Sequence, residues 1–426
     1  MQPVRHPLAE GVEFLGITDD RFKTAQLTVA LLLPLQEQTA SLYAILPYLL
    51  RRTCAAYPDF SALQHRLNQL YGARILADVV RIGSNQALVL TAVSIDDRFS
   101  LNHEAITLQC AELVRSMIFE PALKDGLFKD DNTELEKRCL IELIQSEIND
   151  KRMYSRHRCE QVLCEGEGYA VNRYGTIEGV GALTPVNVTS AWKHILNHAQ
   201  VRIVYQATNR GNIADALGKS FLSAKDRDPV SLITSEIRNN KRNISEVAER
   251  LDVYQAKLVL GFKAYEESGD IAAMRLMNAL LGGTPHSLLF KNVREKLGLC
   301  YYCSSSYDRL GRVLLIDSGV DEQNAKQARE QIIKQYDAVC RGDFTDTDVE
   351  SARTGLGNQF RSIEDQQSSL AAWYIGQSLD KNVSTPTQAA DDLNSVTRER
   401  IVNAARSINL EAVYMLAGKE GEHAGQ

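Results

Sequence analysis

The sequence lacks several features that would assign it to a membrane, secreted or nucleic-acid-binding class. Its longest apolar runs, such as residues 27–35, are far shorter than the roughly 20 residues of a membrane-spanning helix. Residues 1–10 contain no apolar core followed by a small-residue cleavage site, so no secretory signal is expected. Lysine and arginine are scattered and the formal net charge is −6, which argues against a nucleic-acid partner.

Cysteine is present but follows no framework pattern. The eight cysteines are irregularly spaced, which is typical of reduced thiols and not of a disulfide scaffold. No phosphate-binding glycine loop occurs. With reduced thiols and no signal, we expect a cytoplasmic protein. Its 426 residues, 44% of them apolar, are too many for one ordinary core, so more than one domain is expected.

One stretch in the second half of the chain has a specific helical pattern. Leu289, Val293 and Leu297 recur at helical spacing and predict an amphipathic helix. We expect the helix to end near Lys296, with Gly298 as its left-handed cap.

A strand is predicted directly after this helix. Residues 299–306 are rich in aromatic and small side chains, and the strand would place Tyr301 beside the helix end that carries Arg294. A guanidinium and a phenol both donate hydrogen bonds, as a peptide carbonyl or a developing oxyanion requires. Taken alone, the pair also fits a surface arginine and a half-buried packing tyrosine.

The order of elements around this stretch occurs twice. Gly72 and Gly298 are 226 residues apart, and Ser94 and Val320, each closing a predicted strand, have the same separation, so we infer two copies of one unit. In the first copy we predict a strand at 27–33, a helix from a Ser41 cap to Leu50, a helix from Asp59 or Ser61 to Leu70, and strands at 74–82 and 86–94. In the second copy we predict a strand at 254–262, helices at 271–281 and ending at Gly298, and strands at 299–306 and 312–319.

Predicted helices follow the strands in each copy, and this combination indicates an α+β protein. We expect two homologous domains, each a mainly antiparallel sheet packed with helices, because strands alternate with helical segments in both halves. The polar segment 235–243 has the composition of a linker. The helical segments are 101–163 and 323–380, followed by helix–strand pairs that begin at Thr184 and Thr397. The predicted domains are residues 1–230 and 244–426, with residues 231–243 between them.

The sequence Val-Arg-Glu-Lys-Leu-Gly-Leu-Cys-Tyr at 293–301, within this duplicated layout, resembles the insulinase/pitrilysin-type metallopeptidases. That family includes mitochondrial processing peptidase, and its second-half motif is close to Val-Arg-Glu-Lys-Arg-Gly-Leu-Ala-Tyr. The resemblance implies a LuxS/processing-peptidase-like fold and assigns substrate binding to Arg294 and Tyr301. Further landmarks at 174–176, 183–185 and 281–283 extend it over about residues 11–415.

The catalytic motif of that family is altered in this chain. The family carries an inverted zinc motif, His-x-x-Glu-His, whose two imidazoles bind the metal and whose glutamate acts as general base. The matching positions are Ala44, Pro47 and Tyr48. The third ligand of the family matches Glu142, and one carboxylate does not make a zinc site. We therefore expect no metal in this chain and no peptide cleavage by this chain alone.

Other residue pairs fail as replacements for the lost zinc site. His194 and His198 are four apart on a predicted helix, but no third ligand belongs to their pattern. Cys300 and Cys303 have an odd separation on a strand, which predicts opposite faces and argues against both chelation and a redox pair.

Two further sets of residues remain. Cys159 and Cys164 would lie roughly 140° apart on a helix and are interpreted as ordinary thiols. A rebuilt metal site around Glu142, Glu147 and His157 stays open as a rival hypothesis.

The resemblance implies a divided enzyme. We expect this chain to be the substrate-binding, non-catalytic subunit of a heterodimeric zinc metallopeptidase that acts on peptides or small proteins. A homologous partner would hold the zinc, while Arg294 and Tyr301 orient the peptide and stabilise the oxyanion. The alternative is a proteolytically inactive scaffold or peptide-binding protein of the same fold.

Overall fold

The chain forms two compact units, each built around one sheet. The computed structural model describes residues 3–209, 211–223, 227–234, 243–264, 270–380 and 382–419. Unit 1 consists of Met1–Gln145, Val171–Ile233 and Asp365–Val383, and unit 2 consists of Ser146–Ala170, Thr234–Glu364 and Ser384–Gln426.

The predicted strands are present, with others that the apolar pattern does not reveal. In chain order the strands are β1 (Val4–Ala9), β2 (Val12–Thr18), β3 (Thr24–Pro34), β4 (Arg74–Ile82), β5 (Asn85–Ile95), β6 (Leu123–Lys124), β7 (Leu127–Phe128), β8 (Gln200–Ala207), β9 (Ser245–Leu251), β10 (Ala256–Ala264), β11 (Cys300–Asp308), β12 (Val313–Val320) and β13 (Ile408–Gly418). The strands that the sequence does not predict are β1, β2, β6, β7 and β9. Of these, β1 and β9 lie at sheet edges and expose about half of their residues, and β6 and β7 have two residues each.

Helices fill the chain between these strands. They are α1 (Glu37–Ala44), α2 (Leu46–Arg52), α3 (Phe60–Gln69), α4 (Ile106–Phe119), α5 (Asp130–Ser146), α6 (Lys151–Leu163), α7 (Ile177–Gly181), α8 (Pro185–His198), α9 (Ile213–Ser223), α10 (Ile271–Asn278), α11 (Ala325–Arg341), α12 (Asp346–Ile363), α13 (Gln367–Gly376), α14 (Pro386–Asp392) and α15 (Arg398–Arg406). Two further segments, Ala279–Gly283 and Phe290–Lys296, are π-helical.

The sheet of unit 1 has the strand order β1-β2-β8-β3-β5-β4. All neighbours are antiparallel except the parallel pair β2 and β8. β3 lies inside the sheet and is buried from Ala25 to Leu33, which explains its continuous apolar run.

Unit 2 repeats five of these six strands, without a counterpart of β1 among the described residues. Its order, β9-β13-β10-β12-β11, corresponds to β2-β8-β3-β5-β4, and β9 and β13 form the single parallel pair. β4 begins at Arg74 and β11 at Cys300, which keeps the 226-residue offset between Gly72 and Gly298. The predicted duplication and the α+β class are therefore confirmed.

Each unit includes a helix from the other half of the sequence. α6 packs on β10 and β13 in unit 2, where Tyr154 donates a hydrogen bond to Glu249 at 2.9 Å. α13 packs on β3 and β8 in unit 1, where the side-chain amide of Gln367 donates to the carbonyl of Thr24 at 2.9 Å. The predicted ranges 1–230 and 244–426 do not anticipate this exchange.

The predicted linker is described only in part. Of residues 231–243, positions 235–242 lie outside the described residues. Within the ranges that the structure describes, no helix is both long and apolar enough to cross a membrane.

The prediction that Ser41 caps a helix is wrong. α1 already begins after Gln36, and Ser41 lies inside it, where its hydroxyl accepts a hydrogen bond from the Thr176 amide at 3.1 Å. The structure has two short helices where the sequence predicts one, because Ile45 ends α1 and Pro47 lies in the first turn of α2. Proline is tolerated in a first turn, whose amides have no intrahelical acceptor.

Candidate functional site

The altered zinc-motif positions lie at the junction of α1 and α2 in unit 1. Ala44 ends α1 and is fully buried, and Pro47 is buried in the first turn of α2. Ala44 belongs to the hydrophobic core of unit 1, and neither side chain offers a lone pair to a metal. The structure thus uses two of the three motif positions for packing.

Tyr48, the third position, is half-buried and contacts other aromatic and charged groups. Burial, together with the neighbouring Tyr174 and Asp78, raises the pKa of its phenol. A phenol that keeps its proton is a poor substitute for a neutral imidazole as a zinc ligand.

The carboxylate that faces α2 is Glu136 and not Glu142. Glu136 is 4% exposed, and its Oε1 accepts a hydrogen bond from Nη1 of Arg52 at 2.8 Å. Glu142 is exposed, because it lies on the opposite side of α5 from the buried Glu136 and Leu140. The spacing of Glu136 four residues before Leu140 is a sequence signal that identifies it as part of the buried stripe.

The two histidines of α8 share a face, as their spacing predicts. Their rings are 4.4 Å apart, and His194 stacks on Tyr43 at 6.1 Å. Burial and the neighbouring His198 lower the pKa of His194. Among the described residues, no third ligand joins them.

Zinc does not fit the residues of this chain that the structure describes. Among them, no group of three or more His, Cys, Asp or Glu side chains could hold a metal ion. This finding removes the rival site around Glu142, Glu147 and His157. No catalytic step is therefore assigned to a metal in this chain.

Arg294 lies on the π-helical segment Phe290–Lys296 of unit 2. Its guanidinium side chain is 40% exposed, 3.8 Å from Glu295 and stacked over Phe290 at 4.7 Å. The predicted helix end at Lys296 is present, but Leu297 is exposed and not on the buried face. A π-helix closes each turn one residue later than an α-helix, which shifts Leu297 away from the face of the preceding leucine and valine.

Two glycines occupy positions near β11 that a larger residue would not fit. Gly298 has φ +62°, the left-handed conformation that ends the helix as predicted. Gly282 has no room for a side chain, because a Cβ there would lie 2.7 Å from the backbone nitrogen of Ser305 on β11. The Gly282–Gly283 landmark thus marks a place where the backbone at Gly282 lies close to the backbone of strand β11.

Tyr301 lies in a β-bulge on the edge strand β11. Cys300 pairs with Val320 and Tyr302 with Gly319, so Tyr301 is an extra residue in the ladder. It is 60% exposed, and its hydroxyl lies 3.4 Å from Asp321. The bulge explains why so large an aromatic side chain points into solvent.

A buried carboxylate that sequence reasoning missed holds β11 in place. Asp317 on β12 accepts hydrogen bonds from Arg152 at 2.5 Å and from Arg156 at 2.7 Å. The same arginines reach β11, donating to Ser304 at 2.7 Å and to Ser306 at 2.6 Å. α6 thereby fixes the strand that carries the exposed tyrosine, although no sequence motif indicates these long-range contacts.

The prediction that Cys300 and Cys303 lie on opposite faces is wrong. Both are buried, and they pair with Val320 and Ser318, two residues apart on β12. The bulge at Tyr301 adds one residue between them, so an odd separation along the chain becomes an even separation in the ladder.

The π-helix and the β-bulge are specific to the second copy, whereas the left-handed glycine recurs in the first copy at Gly72, with φ +73°. In unit 1 the equivalent helix, α3, is an ordinary α-helix capped by Asp59, and β4 pairs with β5 without a register shift. Two copies of one fold thus differ where unit 2 exposes Arg294 and Tyr301.

The sequence matches a known family model and a curated relative. Residues 217–356 match the model described as "Peptidase M16 inactive domain". The chain is 28% identical over 410 residues to a Bacillus subtilis (strain 168) protein named "Probable inactive metalloprotease YmfF", covering 95% of each chain.

Solved structures share the fold over nearly the whole chain. A conserved protein from Enterococcus faecalis V583 superimposes with a TM-score of 0.86 at 24% identity, covering 99% of this chain and 100% of that one. The peptidase M16 inactive domain from Pseudomonas fluorescens gives a TM-score of 0.77 at 15% identity, with coverage of 99% and 100%.

Proposed function

We propose that this chain, an inactive M16-family, metalloprotease-like protein, is the substrate-binding subunit of a heterodimeric zinc metallopeptidase. A homologous partner supplies the zinc and the general base. This chain needs no cofactor of its own and contributes Arg294 and Tyr301 to binding of a peptide or small protein in the cytoplasm.

The observation that carries this proposal is the way Arg294 and Tyr301 are exposed. Between Phe290 and Tyr302 the backbone contains a π-helix, a left-handed glycine and a β-bulge. π-helical turns and β-bulges are concentrated at functional sites, because they re-aim side chains at a cost in regular hydrogen bonding. A surface arginine and a packing tyrosine would need neither the π-helix nor the bulge.

Both side chains are available to a ligand. In the described part of the chain, the ion-pair partner of Arg294 is Glu295, at the long distance of 3.8 Å, and the hydrogen bond of the Tyr301 hydroxyl is the weak one to Asp321. A guanidinium and a phenol at one surface donate to a peptide carbonyl and stabilise negative charge as it develops. The outer edge of β11 is unpaired among the described strands, so an extended peptide has backbone groups to pair with.

The test is reconstitution with a homologous chain that carries the inverted zinc motif. Size-exclusion chromatography of the co-expressed pair should give a complex near twice the chain mass of 47.5 kDa. In that complex, Arg294→Ala or Tyr301→Phe should lower peptide cleavage by about a hundredfold to a thousandfold, the loss expected for one oxyanion donor. Complex mass and zinc content should not change.

Matched controls come from the same unit. Lys296→Ala removes an exposed charge from the same helix end, and Tyr254→Phe removes the hydroxyl of another exposed tyrosine. Both should leave cleavage unchanged. Full activity of the Arg294 and Tyr301 variants would overturn the proposal in favour of a scaffold or peptide-binding protein of the same fold.

A further inference from the structure

The β-bulge that exposes Tyr301 also brings two cysteines together. Cys300 pairs with Val320 and Cys303 with Ser318, so the two cysteines face ladder positions that are two residues apart. Residues two apart on a strand point to the same side of the sheet. Both cysteines are buried, with 7% and 5% of their surface exposed.

The two thiols have different surroundings. The hydrogen bond from Cys303 and the charge of Arg294 lower the pKa of Cys300, although burial acts in the opposite direction. The same hydrogen bond and burial raise the pKa of Cys303. The environment thus favours a thiolate at Cys300 over one at Cys303, so we assign the attack to Cys300 and the resolving step to Cys303.

We propose that Cys300 and Cys303 form a reversible disulfide when the protein reacts with hydrogen peroxide. The Cys300 thiolate attacks a peroxide oxygen, the O–O bond breaks, and a sulfenic acid forms as the first water leaves. The sulfur of Cys303 then attacks the sulfenic sulfur, so that an S–S bond forms and the second water leaves. The two sulfurs together lose two electrons, and hydrogen peroxide gains them to become two molecules of water. A thiol reductant reverses the change.

The disulfide would fix the bulge. Ladder positions two apart on a strand have Cα atoms about 6.8 Å apart, at the upper end of the distance that a disulfide spans. Closing the bond therefore draws Cys300 toward Cys303 and restricts Tyr301, which lies between them. The modification depends on the geometry of β11 and not on the proposed peptidase function.

The test uses the full-length chain with Cys139→Ser, because Cys139 is the exposed cysteine and would form disulfides between molecules. After treatment with hydrogen peroxide, two of the seven remaining thiols should be lost and the intact mass should fall by two hydrogen atoms. Peptide mapping should show one disulfide linking Cys300 to Cys303, and dithiothreitol should restore both thiols. Hydrogen exchange of residues 299–304 should slow by about tenfold in the oxidised form.

Two variants separate this pair from general oxidation. Cys303→Ser should stop the reaction at a Cys300 sulfenic acid that a 1,3-dione traps. Cys159→Ser is the matched control, since Cys159 is also a buried thiol near a second one, Cys164, but burial raises its pKa. It should leave the disulfide unchanged. Two results in the Cys139→Ser chain would overturn the proposal: an unchanged thiol count, or oxidation of Cys300 and Cys303 to acids that are not linked by a disulfide. Both can be observed even if Cys303→Ser fails to fold.

Discussion

Arg52 and Glu136 join the helix that carries the altered zinc motif to α5, with Nη1 and Oε1 2.8 Å apart. The buried carboxylate on α5 is thus engaged by a guanidinium and is not free to bind a metal. Glu142, which the family resemblance matched to the third ligand, is exposed on the other side of the same helix. An ion pair between helices therefore lies beside the motif positions in this chain.

We expect Glu136→Ala to destabilise the protein by about 2 kcal/mol. Removing one partner of a fully buried pair costs about 3–5 kcal/mol, and this value is reduced because Arg52 is partly exposed. Urea unfolding gives the change in the free energy of unfolding. Glu142→Ala on the same helix is the control and should change it by less than about 0.5 kcal/mol. Equal effects of the two variants would contradict the assignment of Glu136 to the buried face.

The purified chain should contain no stoichiometric zinc and cleave no peptide, since Ala44, Pro47 and Tyr48 supply neither a ligand nor a base. Elemental analysis after dialysis against a weak chelator measures the metal. About one zinc per chain that survives dialysis would disprove this expectation.

Lys263 forms a buried ion pair in unit 2, and we expect this pair to contribute strongly to the free energy of unfolding. Its Nζ donates to Glu167 at 2.6 Å and to the carbonyl of Gly311 at 2.9 Å. We expect Lys263→Met to cost about 3–5 kcal/mol, because the buried carboxylate loses its cation. In a double-mutant cycle, Lys263→Met with Glu167→Gln should cost less than the sum of the two single changes. Strict additivity would show that the pair is not coupled.

The pair of Asp270 and Arg400 should make stability depend on acid pH. Asp270 accepts hydrogen bonds from Arg400 at 2.7 and 2.8 Å and from the amide of Ala273 at 3.0 Å. The hydrogen bonds from Arg400 lower the pKa of Asp270 in the folded state. Burial acts in the opposite direction, and the hydrogen bond from the Ala273 amide adds to the lowering. Because the pKa of Asp270 is lower in the folded state than in the unfolded state, its carboxylate stabilises the fold at pH values above the unfolded pKa of about 3.9. This stabilisation is lost as the pH falls from there through the folded pKa.

Urea midpoints between about pH 5 and pH 3 test this expectation. The wild type should lose more stability over that window than Asp270→Asn, which has no carboxylate to protonate. Parallel curves for the two proteins would exclude a contribution from this pair.

Local chemistry in the sequence determined most of the elements. The apolar run of β3 predicts a buried strand, and Asp59 and Thr184 mark helix starts because their side chains accept hydrogen bonds from the first-turn amides. The same elements recur at a constant offset, so the duplication and the α+β class can be read without coordinates. The altered motif at Ala44, Pro47 and Tyr48 is likewise visible in the sequence, since it depends only on residue identity.

Tertiary packing decided the features that depend on contacts far apart in the chain. α5 carries several carboxylates, and only its packing beside Arg52 distinguishes Glu136 from Glu142. Residues 146–170 belong to unit 2 because their side chains pair with Glu249 and Asp317, more than 90 and 160 residues away.

The bulge at Tyr301 shows the same limit on one strand. Alternation along a regular strand predicts opposite faces for Cys300 and Cys303, whereas register is set by the neighbouring strand and shifts by one residue at the bulge. Pairing with β12 therefore decided both the exposure of the tyrosine and the common face of the two thiols, which the order of residues could not specify.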